Sequence, residues 1–136
     1  FIPGLINLRK INNTGAAFNI LNNSTLYLGI LSLLVSIFLL ILIFQKSNYF
    51  RFWEGVSIAF LLGGSIGNGI DRWRLGYVID FIELIPINFP IFNFADISIN
   101  LAIIFFFVSR DKIRNPIINT QSITRFKAKY IGRKSK

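Results

Sequence analysis

The sequence predicts an all-α membrane protein, a helical transmembrane bundle with three spans in this chain. Three observations lead there. Of 136 residues, 53% are hydrophobic and only 15% charged, with a mean hydropathy of +0.57, whereas soluble domains carry about 25% charged residues. Three apolar stretches, at 25–44, 55–70 and 89–109, reach or approach the roughly 20 residues that cross one hydrocarbon core. The charge is also crowded to one end: 110–136 holds nine of 15 cations and one of six acids, which is +8 of the net +9.

Taken in order, 1–23 carries Arg9 and Lys10 ahead of the first span. The 25–44 stretch has no charge and reads as a membrane helix. A short loop at 45–51 holds Lys46 and Arg51. The second span, 55–70, can be lengthened by Phe52 and Trp53 as interfacial anchors. Within it Gly63 and Gly67, flanked by Gly64 and Ser65, make a small-residue surface suited to close helix packing. The 75–84 segment alternates like a strand or turn and carries Asp80 back over the bundle. The third span, 89–109, contains one charge, Asp96. Beyond it composition changes, so 1–110 is expected to be the membrane-embedded domain and 111–136 a basic, disordered tail. The tail has only Phe126 and Tyr130 for base stacking, so anionic lipid is the expected partner and nucleic acid is not.

Orientation follows from Lys and Arg. Lys46, Arg51 and the nine tail cations fall on one side of the three spans, against Arg9, Lys10, Arg72 and Arg74 on the other. The positive-inside bias then places the 45–51 loop and the tail in the cytoplasm, and 1–23 and 71–96 outside. An outside N-terminus requires delivery by a preceding span or signal, and the chain has no Met, so a first transmembrane helix is expected upstream of Phe1.

The chain also has no Cys and no His, which removes thiolate nucleophiles, disulfides, and the commonest general base and metal ligand. Chemistry falls to the carboxylates. Four of the six acids, Asp71, Asp80, Glu83 and Asp96, lie on the expected outer side. A carboxylate at membrane depth costs roughly 2.5–3.5 kcal/mol on the insertion scale, so Asp96 calls for a function. Asn93 and Asn100 stand at i−3 and i+4 from it, where a shared helical face would let their amides bond its carboxyl. Asn68, Asp71 and Arg72 share a face of the preceding span, with Arg72 the expected ion-pair partner of Asp71. These residues by themselves fit a proton relay in a transporter, or a scaffold anchored by its tail, as well as an enzyme.

Three blocks in order separate these readings. Asn13-Thr14-Gly15-Ala16-Ala17-Phe18 is similar to an N-x-G-A-A-F motif. Gly63-Gly64-Ser65-Ile66-Gly67-Asn68-Gly69-Ile70-Asp71-Arg72, continued by Gly76-Tyr77-Val78-Ile79-Asp80-Phe81, is similar to G-G-x-x-G-N-x-x-D-R…G-x-V-x-D-F. Phe92-Asn93-Phe94-Ala95-Asp96 is similar to F-N-x-A-D. Together they resemble the lipoprotein signal peptidases (signal peptidase II), bacterial membrane aspartyl endopeptidases, over roughly residues 1–110. Asn19, after the first block, stands where the family usually has a small residue.

The resemblance implies a four-helix membrane fold with a small extracytoplasmic β-rich cradle that includes residues 1–22. It implies Asp80 and Asp96 as the catalytic pair, with Asn13, Asn68, Asp71, Arg72 and Asn93 supporting or lining the site. The implied substrate is a diacylglyceryl-modified prolipoprotein, cut before its lipidated cysteine at the outer face of the cell membrane. No metal and no cofactor are expected, and the protein is expected to be monomeric. The physics of such a pair agrees: carboxylates about 4 Å apart repel by roughly 4 kcal/mol at an effective dielectric near 20. That is about three pK units, so the pair holds a single proton over a wide pH range.

Overall fold

The computed structural model describes residues 2–16 and 20–111. The basic tail and Ala17, Phe18 and Asn19 of the first block lie outside the described residues. The element order is β1 (Ile6–Asn13), α1 (Thr25–Lys46), a 3₁₀ turn (Ser47–Tyr49), α2 (Phe52–Leu75), β2 (Val78–Leu84) and α3 (Phe94–Asp111). The protein is mostly helical, with a small antiparallel sheet.

α1 runs through the uncharged stretch and ends at Lys46, a cation suited to the negative end of the helix dipole. It is the one helix among the described residues that is long and apolar enough to cross a membrane by composition. α2 begins where Glu54 Oε2 accepts the Arg51 N–H at 3.0 Å. It continues a full turn beyond the uncharged 55–70 stretch and so carries Asp71 and Arg72 as helical residues. Gly76 stops it in the left-handed conformation, φ 79°, with its N–H on the Arg72 carbonyl at 3.1 Å.

The third apolar stretch differs from the expected continuous span. Its helix starts only at Phe94, and 89–93 is not helical. Pro90 has no N–H and disfavours helical geometry at Phe89. Phe92 instead bridges the middle of β2, giving its N–H to the Ile82 carbonyl at 3.1 Å and accepting the Phe81 and Ile82 N–H groups at 3.0 and 2.9 Å. Of the 75–84 segment, expected as a strand or turn, Val78–Leu84 forms a strand, while Leu75 ends α2 and Gly76 caps it. β2 pairs antiparallel with β1, from Ile6↔Leu84 to Asn13↔Val78, with a register shift between Leu8 and Ile11.

α2 packs against both other helices. Among the described residues, buried side chains are polar more often than apolar: Ser36, Ser57, Ser65, Asn68, Asp80, Asn93 and Ser109 against Leu28, Leu39, Val78 and Ala102. Large aliphatic and aromatic residues face outward along α1 and α3. That inversion suits helices whose solvent is lipid, with small and polar residues joining them. Ser57 Oγ, for example, donates to the Ala102 carbonyl at 2.7 Å across α2 and α3.

The small-residue surface is shifted from the expected Gly63 and Gly67 pair. A Cβ on Gly63 meets nothing within 4 Å, whereas one on Gly64 would lie 2.6 Å from the Ala95 carbonyl oxygen and 2.6 Å from Ile99 Cγ1. Gly67 does face α3, with Ala95 Cβ 3.2 Å from its virtual Cβ. We predict that Gly64→Ala destabilises the protein by about 1–3 kcal/mol through overpacking, while Gly63→Ala is near neutral. Thermal unfolding in detergent checks this, and equal midpoints for the two variants would contradict it.

Candidate active site

Three asparagines organise the site, and each is fixed in orientation by what its carbonyl oxygen accepts. Asn93 lies just before α3. Its Oδ1 accepts the Ala95 and Asp96 N–H groups at 2.7 and 3.1 Å, and Asp96 Oδ2 accepts the Asn93 N–H at 3.0 Å. This is a reciprocal cap on the first turn of α3. With its oxygen committed to backbone donors, the Asn93 amide nitrogen points away from the helix. It donates to Asp80 Oδ1 at 2.7 Å and to Asn68 Oδ1 at 3.0 Å.

Asn68 thereby has its own oxygen satisfied, and its nitrogen donates to Asp96 Oδ1 at 2.9 Å. Asn13, at the end of β1, accepts the Gly15 N–H on Oδ1 at 2.9 Å and donates to Asp80 Oδ2 at 2.8 Å. Every oxygen of both carboxylates therefore accepts one N–H, and an sp² oxygen has a second acceptor position left for water or substrate. Asp80, Asn93, Asn68 and Asp96 form one connected chain of hydrogen bonds built from β2, the α3 cap, α2 and α3.

Asp80 is 3% exposed. Burial pushes its carboxyl above the ordinary aspartate range, helped by the negative charge of Asp96 and opposed by the Asn13 and Asn93 hydrogen bonds and the Arg72 charge. Arg72 ties the 13–16 loop to α2 by donating to the Gly15 carbonyl at 2.9 Å and to the Asn68 carbonyl at 3.3 Å. Its buried Nε has no hydrogen-bond partner among the described residues.

Asp80, Asp96, Asn13, Asn68 and Arg72 all line one cavity of about 950 Å³. Much of the rest of its wall is apolar, from Val78, Phe89, Ile91, Phe92 and Ile99. The amide donors are taken up by the two carboxylates, whose remaining acceptor positions can take the O–H of a water, and a carboxyl that holds a proton can donate it to a peptide carbonyl.

Two expectations are corrected. Asp71 and Arg72 make no ion pair; among the described residues the only one joins Arg9 and Glu83, at 3.4 Å. Asp71 Oδ2 instead accepts the Ile79 N–H at 3.2 Å, fixing the start of β2, while the neighbouring Arg72 side chain reaches the loop. Adjacent helical residues point about 100° apart, which is why sequence neighbours take different partners. Secondly, Asn93 and Asn100 do not place their amides on the Asp96 carboxyl. Asn93 precedes the helix and acts as its cap, and Asn100 Nδ2 donates to the Asp96 backbone carbonyl at 2.9 Å. The cap was available as a signal, since Asn followed three residues later by an acid at a helix start is a capping spacing.

A family model described as "Signal peptidase (SPase) II" matches residues 1–110. A lipoprotein signal peptidase of Parasynechococcus marenigrum (strain WH8102) is 58% identical over 107 residues, covering 79% of this chain and 67% of that protein. One from Enterococcus faecalis (strain ATCC 700802 / V583) is 39% identical over 109 residues, covering 79% of this chain and 66% of that protein. Among solved structures, a bacterial membrane enzyme determined by the in meso method at 2.3 Å resolution superposes with a TM-score of 0.77. It is 33% identical, with 86% of this chain and 72% of that chain covered.

Proposed function

Because this chain belongs to the signal peptidase II family, we propose that it is a bacterial membrane peptidase that removes the signal peptide from diacylglyceryl-modified prolipoproteins. Cleavage falls just before the lipidated cysteine, and Asp80 and Asp96 are the catalytic pair. The observation that carries the reading is the pair of carboxylates on one apolar-walled cavity, joined through Asn93 and Asn68.

The chemistry is that of two aspartates sharing a proton. The ionised carboxylate takes a proton from water, whose oxygen attacks the scissile carbonyl carbon. The protonated carboxyl gives its proton to the carbonyl oxygen, forming a tetrahedral diol. Collapse breaks the C–N bond as the leaving nitrogen takes up a proton. Asn13, Asn68 and Asn93 hold the two carboxylates in place, Arg72 holds the loop of the first block against α2, and Asp71 holds β2. A proton relay on the same aspartates is not favoured, since family membership and the apolar cavity both suit a lipidated peptide.

In this reading α1, α2 and α3 are three spans of a four-helix bundle, and the sheet is the cradle over its outer end. The 1–110 region is the peptidase, acting as a monomer, and 111–136 is a cytoplasmic tail attracted to anionic lipid. The test is cleavage in a reconstituted bilayer. A prolipoprotein carrying diacylglyceryl-cysteine is expected to be cut, and the same polypeptide without the lipid is not. Equal cutting of both, or of neither, would overturn the proposal.

The pH profile follows from Asp80. A carboxyl raised above its ordinary value keeps its proton to higher pH, so processing falls as pH rises through that raised value, and falls again in acid once the pair takes a second proton. The Asn13 hydrogen bond stabilises the Asp80 carboxylate. Asn13→Ala is therefore expected to move the alkaline limb to higher pH, and kcat/KM against pH measures it. A shift to lower pH would contradict the assignment.

A further inference from the structure

The cavity continues past the two carboxylates towards the middle of the helices. Ser65 precedes Asn68 by three residues on α2, and Asn100 follows Asp96 by four on α3, so each stands one helical turn further in on the same face. Both line the cavity, in a part of its wall that also holds Ile97, Ile99 and Leu101. Ser65 is 8% exposed, and its hydroxyl has no hydrogen-bond partner among the described residues. Every other serine in α1, α2 and α3 donates its proton to a backbone carbonyl. Asn100, exposed on α3, gives Nδ2 to the Asp96 carbonyl at 2.9 Å. Its Oδ1 accepts nothing among the described residues.

A buried polar group left without a partner costs about 1–3 kcal/mol. A free serine O–H and a free amide oxygen together match the two polar atoms of one peptide group, its carbonyl and its N–H. An extended peptide drawn into a bundle at membrane depth has such groups to satisfy, because hydrocarbon offers them no partner. The spacing also fits. One helical turn is about 5.4 Å, and an extended chain advances about 3.3 Å per residue. A peptide group at Ser65 and Asn100 therefore lies one or two residues from a bond held at Asp80 and Asp96.

We propose that Ser65 and Asn100 bind the substrate main chain one or two residues before the scissile bond, Ser65 donating to a carbonyl and Asn100 Oδ1 accepting the N–H. This inference rests on the proposed function, in which the part before the cut is the apolar signal peptide. Contact with the backbone sets the register of the cut without reading side chains. Successive N–H groups of an extended strand point to opposite sides, so a chain slid by one residue turns its N–H away from Asn100.

A double-mutant cycle between protein and substrate tests this. Diacylglyceryl lipopeptides are made with the first or the second peptide group before the scissile one replaced by an ester, which has no N–H, and with the fifth replaced as a control. On the wild-type protein in a lipid bilayer, the ester at one of the first two positions is expected to lower kcat/KM at least fivefold, mainly through KM. Asn100→Leu should lower kcat/KM for the all-amide lipopeptide by a similar factor and lose less than a further twofold with that ester. Asn100→Ala is run beside it, so that the cycle survives misfolding of either variant. Ser65→Ala should raise KM at least threefold with kcat within twofold. Ester and Asn100 losses that multiply at both positions would overturn the proposal, since water and not the peptide would then occupy these groups. An unchanged KM in Ser65→Ala would also overturn it. The same cycle read as Kd, by fluorescence anisotropy of labelled lipopeptides on an Asp80→Asn background, needs no cleavage. Coupled Kd values without any cleavage by the wild-type protein would uphold the binding site and count against the peptidase reading alone.

Discussion

Replacing Asp80 or Asp96 by Asn is expected to lower prolipoprotein processing by roughly 10³-fold or more. Each variant removes one half of the acid–base pair while keeping the side chain's size. Neither is neutral to the network. Asp80 accepts amide donors on both oxygens, from Asn93 and Asn13, and Asp96 accepts from Asn68 and from the Asn93 backbone. An Asn at either position turns one acceptor into a donor facing a donor, so some stability is lost with the activity. Membrane insertion and the unfolding temperature are therefore measured alongside cleavage. A correctly inserted Asp80→Asn or Asp96→Asn protein that processes at near-normal rate would remove that residue from the catalytic pair. Lys46, at the far end of α1, serves as the control: Lys46→Ala should change neither quantity.

Asn93 gives the second large effect, because two jobs meet in one amide. Its oxygen caps α3 and its nitrogen bridges Asp80 to Asn68. Ser is also a good cap but cannot supply the two N–H donors. Asn93→Ala loses both jobs, and Asn93→Ser loses only the bridge. Both variants should lose processing on the order of 10²-fold, the low end of what a misplaced acid–base pair forfeits. Asn93→Ser should remain more stable than Asn93→Ala by about 1 kcal/mol, the worth of a cap. Losing the donor to Asp80 also removes an interaction that holds its carboxyl down, so the alkaline limb of the pH profile should rise in both variants. Near-normal activity in Asn93→Ser would reduce Asn93 to a helix cap. Activity loss without any movement of the pH profile would point to a general packing defect.

What the sequence by itself determined was whatever depends on composition and short-range pattern. The uncharged 25–44 run becomes α1 because a long apolar stretch without proline has a helix as its natural membrane form. Most of the alternating 75–84 segment, from Val78 to Leu84, becomes β2 by the two-residue period of a strand. The order of the motif blocks marked Asp80, Asp96 and their asparagines as a group before any geometry was known. The tertiary structure alone decided which atom meets which. Asn13 reaches Asp80 across 67 positions of sequence and Asn68 reaches Asp96 across 28. Asp71 takes the Ile79 N–H in place of the adjacent Arg72, and Phe92 leaves the expected span to bridge β2. Helical and strand periods say which way a side chain leaves its own backbone. Its partner is set by how the elements cross, and in a site this small a difference of one residue in a helix start decides whether Asn93 lies on the face of α3 or at its cap.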